Sequence, residues 1–242
     1  MKIEDLKKRK EELGYTNEMV SKLSGVPLGT VQKFFGGATS KPRYNTLQSI
    51  ECILFPELHS KIEDWKNLPD GAWMELIDGV LYDRNYPTKR HQYIASQLVI
   101  QLSIAIKEKG GPCLVLGPAG VQPDENDDRN GFIPDVLIVC DKEKYTKDEE
   151  TIVGAPDYVA EVLSPSTEKY DRTLKLNKYW QKGVREYWLI DIKGEEVTVY
   201  QFEKGVPPVT YGFEEQIPLG ISEGAIVIDF KDISDGMKRF FG

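Results

Sequence analysis

Apolar positions recur along this chain with two different periods. Up to about residue 60 the spacing is helical and short-ranged, and the runs break at Gly14, at Gly25–Pro27 and at Gly36–Pro42. From about residue 72 the texture changes to β-branched runs bounded by turns. Asp78-Gly79 sits between the apolar flanks of MELIDGVLYD, which predicts a hairpin. Residues 89–109 return to helical spacing, with Ile94, Leu98, Leu102 and Ile106 on one stripe. Strand-like runs follow in CLVLGPAGVQ, FIPDVLIVC, DYVAEVLS, EYWLIDI, EVTVYQF and AIVIDF. Between the third and fourth, residues 169–182 predict a helix ended by Gly183. Helix and strand runs in this order predict an α/β (α+β) domain built on a mixed sheet, preceded by a small all-helical domain. The division expected is 1–60 and 61–242, with the charged segment 65–70, which holds Pro69, as the linker.

Charge sharpens this division. The 242 residues carry 31 Lys and Arg against 39 Asp and Glu, a formal charge of −8, which argues against a simple basic DNA-coating protein. The sum hides an asymmetry: residues 1–60 hold nine basic and seven acidic side chains, and residues 19–50 contain no acid at all, only Lys22, Lys33, Lys41 and Arg43. An acid-free basic stretch can face phosphates. The acidic run at 124–128 reads as a solvated loop. The first residues alternate charges without an apolar core, so no signal peptide is expected, and no run is long and apolar enough for a membrane span. Cys52, Cys113 and Cys140 lie far apart and lack metal-ligand spacing, so reduced, buried thiols in a cytoplasmic protein are expected.

Within the first domain, Thr16 is a good N-cap for a helix whose inner face would hold Val20 and Leu23. Gly25 separates it from a second helix, 27–35, with Val31 and Phe34 inward. This stretch, over roughly residues 2–58, resembles the Cro/repressor-type helix-turn-helix family, in which the second helix of the pair enters the major groove of double-stranded DNA. The resemblance implies that Thr30, Gln32 and Lys33 face bases and that Lys41 and Arg43 contact the backbone.

Two acids stand inside apolar strands of the second domain. Asp135 lies in FIPDVLIV and Glu161 in DYVAEVLS. A lone carboxylate there costs several kcal/mol unless it is paired or metal-bound. Convergence of both on one divalent cation answers both costs, and hard oxygen ligands suit Mg²⁺ or Mn²⁺. On the following helix Asp171, Lys175, Lys178, Tyr179 and Lys182 share a broad face. Lys178 and Lys182 read as solvated lysines. Lys175 is the one best placed to reach back toward Glu161. Ser164 and Ser166 lack a nearby histidine and a nucleophile elbow, so they read as turn and cap residues. Trp180, Tyr187 and Trp188 read as core.

The ordered set Glu75, His91, Pro134-Asp135, EVLSPST, Asp171-x₃-Lys175-x₃-Tyr179-x₃-Gly183 and EYWLID resembles the PD-(D/E)XK nuclease superfamily, and within it the restriction-endonuclease-like Uma-two family. The likeness spans about residues 65–240. It implies a restriction-endonuclease-like mixed sheet flanked by helices, with Asp135 and Glu161 as metal ligands, Glu75 as an accessory ligand and Lys175 as the catalytic lysine. The superfamily's commonest pattern has lysine two residues after the strand acid, where this chain has Leu163. The resembled family recruits lysine from the next helix, and Lys175 is the candidate. His91 is a candidate phosphate contact. Proteins of both resembled kinds are often homodimers.

The expected activity is therefore Mg²⁺- or Mn²⁺-dependent hydrolysis of DNA phosphodiesters, targeted by the helix-turn-helix. The alternative is a DNA-binding transcriptional regulator whose nuclease-like domain is inactive and serves dimerisation or scaffolding. A third class, a partner-binding module without nucleic-acid contact, would lack tight, salt-sensitive duplex binding.

Overall fold

The computed structural model describes residues 2–39, 42–56, 59–69, 72–165 and 167–242, with the backbone alone at Tyr44 and Asn45. The chain divides into two compact units. One comprises Met1–Asp70, Leu76–Tyr82 and Asp128–Asn130, and the other Gly71–Glu75, Asp83–Asp127 and Gly131–Gly242.

The first unit is helical: α1 (Ile3–Glu12), α2 (Asn17–Ser24), α3 (Leu28–Phe35), α4 (Tyr44–Leu54) and α5 (Ile62–Lys66). Thr16 caps α2 by accepting a 3.2 Å hydrogen bond from the Met19 amide. Gly25 ends α2 with φ of 70°, a left-handed conformation that suits glycine. Leu6, Val20, Val31, Phe34, Ile50 and Leu54 form the core. Leu23, expected inside, is 47 % exposed. A helix of eight residues, about two turns, offers a narrow buried stripe, and Val20 fills it.

Strands β1 (Met74–Ile77) and β2 (Val80–Asp83) make the hairpin. Asp78 and Gly79 both have positive φ, 51° and 79°, as a two-residue turn matched to strand twist requires.

The second unit is built on a six-stranded mixed sheet. In chain order its elements are α6 (Lys89–Glu108), β3 (Leu114–Leu116), β4 (Gly120–Gln122), β5 (Val136–Val139), α7 (Lys142–Thr146), β6 (Thr151–Val153), β7 (Tyr158–Val162), α8 (Glu168–Tyr170), α9 (Leu176–Lys182), β8 (Glu186–Asp191), β9 (Glu196–Gln201), β10 (Val209–Gly212), β11 (Gln216–Pro218), β12 (Val227–Asp229) and α10 (Phe230–Phe241). The sheet order is β10-β9-β8-β7-β5-β3. β7 and β8 run parallel, joined through α8 and α9, while the other neighbours in the sheet are antiparallel. Both faces are covered. Val136, Ile138, Tyr158, Ala160, Val162, Trp188 and Ile190 pack on one side against the stripe of Ile94, Leu98, Leu102 and Ile106. On the other face of β5, Leu137 and Val139 pack with Val121 and Ile152.

Three further expectations differ from the structure. CLVLGPAGVQ is two strands, β3 and β4, in separate sheets, because Gly117-Pro118 interrupts the run and proline cannot donate to a ladder. Cys113 and Cys140 are joined by a disulfide rather than reduced. They flank the Leu114–Val139 pair at the ends of adjacent antiparallel strands, a proximity that linear spacing cannot show. Cys52 is a buried free thiol. Trp180 is 58 % exposed rather than core, since α9 turns Tyr179 inward instead. Among the described residues no helix is long and apolar enough to cross a membrane.

Candidate active site

The β5–β7 register pairs Val136 with Ala160. One residue further, Asp135 and Glu161 stand opposite each other on the face away from the apolar stripe of α6. Glu75 joins them from β1 and Lys175 from the connection between β7 and β8. All four side chains are buried.

Lys175 lies in an irregular stretch of helix. Residues Asp171–Lys175 form a π-helical turn between α8 and α9. Such turns recur at functional sites. Asp171, Lys175 and Tyr179, at i, i+4 and i+8, are all buried, and Lys178 stays half-exposed. The Lys175 Nζ lies 2.9 Å from Glu75 Oε1, 2.5 Å from Glu161 Oε1 and 3.5 Å from Asp171 Oδ1. Glu75 Oε1 also accepts from the Ile133 amide at 2.8 Å. The Tyr179 hydroxyl donates to Glu161 at 3.4 Å.

Asp135 has its own partners. Arg84 donates to Oδ1 at 2.9 Å, His91 Nε2 lies 3.0 Å from Oδ2, and the Val162 amide donates to Oδ2 at 2.8 Å. His91 is thus buried against the carboxylate. Arg84, which the sequence reading did not single out, also binds the Ile133 carbonyl and covers the Trp73 ring at 5.5 Å. A signal for it did exist. The two-residue turn at Asp78-Gly79 sets the hairpin register, which brings the Arg84 amide to the Trp73 carbonyl at 2.8 Å, and Trp73 shares a face with Glu75 by the period of two.

The electrostatics are unbalanced. Glu75, Asp135, Glu161 and Asp171 face two permanent cations, Lys175 and Arg84. Burial, reinforced by Asp135, Asp171 and Glu75, pushes Glu161 well above the ordinary carboxylate range despite Lys175. Burial likewise raises Asp171. Asp135 moves the other way: burial opposes its ionisation, but the His91 hydrogen bond and the Arg84 charge prevail and hold it low. Lys175 stays protonated, since Glu161, Glu75 and Asp171 outweigh the burial that disfavours its charge.

In kind and in charge, this donor set fits a hard divalent cation, with Asp135, Glu161 and Glu75 as the available ligands. In the arrangement seen, their inward oxygens are engaged by Lys175, Arg84 and His91. Among the described residues no three His, Cys, Asp or Glu side chains converge as a metal cage.

The remaining expected residues lie elsewhere. Thr30, Gln32 and Lys33 are exposed on α3, and Arg43 is exposed at the start of α4. Lys41 and Ser166 lie outside the described residues. Ser164 bonds Thr167, as a turn residue does. Lys182, read as solvated, binds Asp124 at 2.9 Å and Asp127 at 2.8 Å, which closes the acidic 124–128 segment onto the end of α9.

The family model Uma2, described as "Putative restriction endonuclease", matches residues 60–225. The chain belongs to the Uma2 family. Two uncharacterised proteins of Synechocystis are similar to this Uma2 chain. One is 29 % identical over 127 residues, which are 52 % of this chain and 64 % of the relative. The other is 35 % identical over 71 residues, 29 % of this chain and 40 % of the relative. The chain thus spans less than two thirds of the length of either. Among solved structures, a "putative nuclease belonging to DUF820" from Anabaena variabilis superposes with a TM-score of 0.61 at 18 % identity, covering 73 % of this chain and 98 % of that one. The likeness shows a shared fold.

Proposed function

We propose that this Uma2 protein is a divalent-metal-dependent endonuclease that hydrolyses phosphodiester bonds of double-stranded DNA. One observation carries the reading: four buried carboxylates surround only two permanent cations, on elements that also bear the family's motifs. Mg²⁺ or Mn²⁺ would be held by Asp135 and Glu161, with Glu75 as the accessory ligand. When bound, the ion would supply Lewis-acid stabilisation of the phosphate and a more acidic water. Lys175 holds Glu161 and Glu75 through its ammonium, and it would stabilise the negative charge that develops on the phosphate. Tyr179 fixes the remaining geometry of Glu161.

In this reading the helical unit brings the chain to DNA. The capped α2, the glycine turn and α3 form a helix-turn-helix, with Thr30, Gln32 and Lys33 toward bases and Arg43 toward the backbone. Residues 1–60 would then be the targeting domain and 61–242 the nuclease domain.

The absence of three converging ligands among the described residues favours the second reading, a regulator whose nuclease-like domain is inactive. A supercoiled-plasmid nicking assay with Mg²⁺ or Mn²⁺ separates the two. Cleavage is expected, and it should fall about 10²-fold or more in Glu161→Gln, the scale of losing an electrostatic stabiliser of the transition state. Wild-type cleavage no greater than that of Glu161→Gln would sink the nuclease reading. Metal-independent duplex binding that survives Asp135→Ala would then support the regulator.

A further inference from the structure

We propose that Arg84 is a built-in counter-ion of the carboxylate cluster. It stabilises Asp135 in the metal-free protein and competes with the divalent cation for that ligand. The inference rests on the metal-dependent reading above and goes beyond it by naming what holds the site together before metal arrives.

Arg84 is placed for this role. Its side chain is 8 % exposed, and Nη2 lies 2.9 Å from Asp135 Oδ1. Burial disfavours its charge, but Glu75, Glu161 and Asp135 together more than compensate, so the guanidinium is always charged. The Ile133 carbonyl and the Trp73 ring fix it from two further directions. Ile133 also ties Glu75 to the site through its amide, so one two-sided residue positions both the cation and an acid.

Such a group has opposite effects on the two states of the site. Without metal it is a cation beside four buried carboxyl groups, and its loss leaves Asp135 supported by His91 and Val162. With metal it is a positive charge on the oxygen that the ion needs. Whether the guanidinium withdraws or remains, the ion's affinity is lowered, because displacement costs an ion pair and coexistence costs repulsion. Arg84 is therefore a positioning residue that acts through Asp135, and its signature is in binding and stability rather than in turnover.

The test is Mn²⁺ titration of the full chain by calorimetry, with thermal melts in chelator, for wild type, Arg84→Gln and Arg84→Lys. Arg84→Gln is expected to bind Mn²⁺ about tenfold more tightly than wild type, a difference of about 1.4 kcal/mol, and to melt lower in chelator. Arg84→Lys, which keeps the charge, should bind Mn²⁺ close to wild type even if Arg84→Gln is too unstable to titrate. Equal or weaker Mn²⁺ binding by Arg84→Gln, or tightening in Arg84→Lys, would overturn the proposal while leaving the metal reading intact. No Mn²⁺ binding by any of the three would overturn the metal reading and this inference with it.

Discussion

Glu161 and Glu186 are equally buried carboxylates, each 1 % exposed, on the neighbouring parallel strands β7 and β8. They meet the cost of burial in opposite ways. Glu186 lies on the face toward α6, where the Trp188 indole donates to it at 2.6 Å and the Ile221 amide at 2.8 Å. Both donors are neutral, and burial pushes its pKa up against those bonds. Glu161 lies on the other face, where its partners are Lys175 and Tyr179 and its neighbours are three more acids. Burial alone therefore does not mark a functional carboxylate. A single acid closed by backbone and indole N–H groups is part of the core. Acids gathered in excess of their cations are what the proposed metal-binding reading rests on.

Substitutions can break this contrast, and Lys175→Met should have the largest effect. It leaves Glu161, Glu75 and Asp171 without the ammonium that they share, and breaking a buried ion pair from one side costs about 3–5 kcal/mol. Urea unfolding in chelator should show that loss, and an unchanged midpoint would mean that the cluster is not held by its lysine. Glu186→Ala should come next. It orphans the buried Trp188 donor, at about 1–3 kcal/mol, while the half-buried Ile221 amide loses less. The same unfolding measurement reads it, and the variant should retain Mn²⁺ affinity because Glu186 faces away from the cluster. Glu161→Gln should have the smallest effect on folding, since burial already favours the neutral form of Glu161 that glutamine mimics.

Much of this arrangement was legible along the chain. The stripe from Ile94 to Ile106, the Asp78-Gly79 turn and the alternation around Glu161 gave α6, the hairpin and β7, because each rests on local periodicity. Asp135 and Glu161 were conspicuous as acids in apolar strands, and cross-strand register brings them together. What local pattern could not carry was geometry set by distant segments. The Asp171–Lys175 pair, an ordinary i,i+4 contact by spacing, is buried because its face packs against Glu75 and Glu161 from distant strands. Cys113 and Cys140 meet only because β3 and β5 pair. Arg84 reads as a hairpin-end arginine until the hairpin register sets it beside Trp73 and Asp135. Strands β10 and β11 are too short and interrupted to stand out as runs.

The Glu161 face holds four buried carboxyl groups against two permanent cations, and in the proposed reading a divalent ion makes up the difference. Paired thermal melts of wild type and Glu161→Gln, in chelator and in Mn²⁺, test it most directly. In chelator, Glu161→Gln should melt at or above wild type. In Mn²⁺, wild type should gain stability through linkage, about 2.7 kcal/mol at one hundred times the dissociation constant, and Glu161→Gln should gain little. A Glu161→Gln protein that melts well below wild type in chelator, with no Mn²⁺ shift in either, would contradict the claim and make Glu161 a structural acid like Glu186.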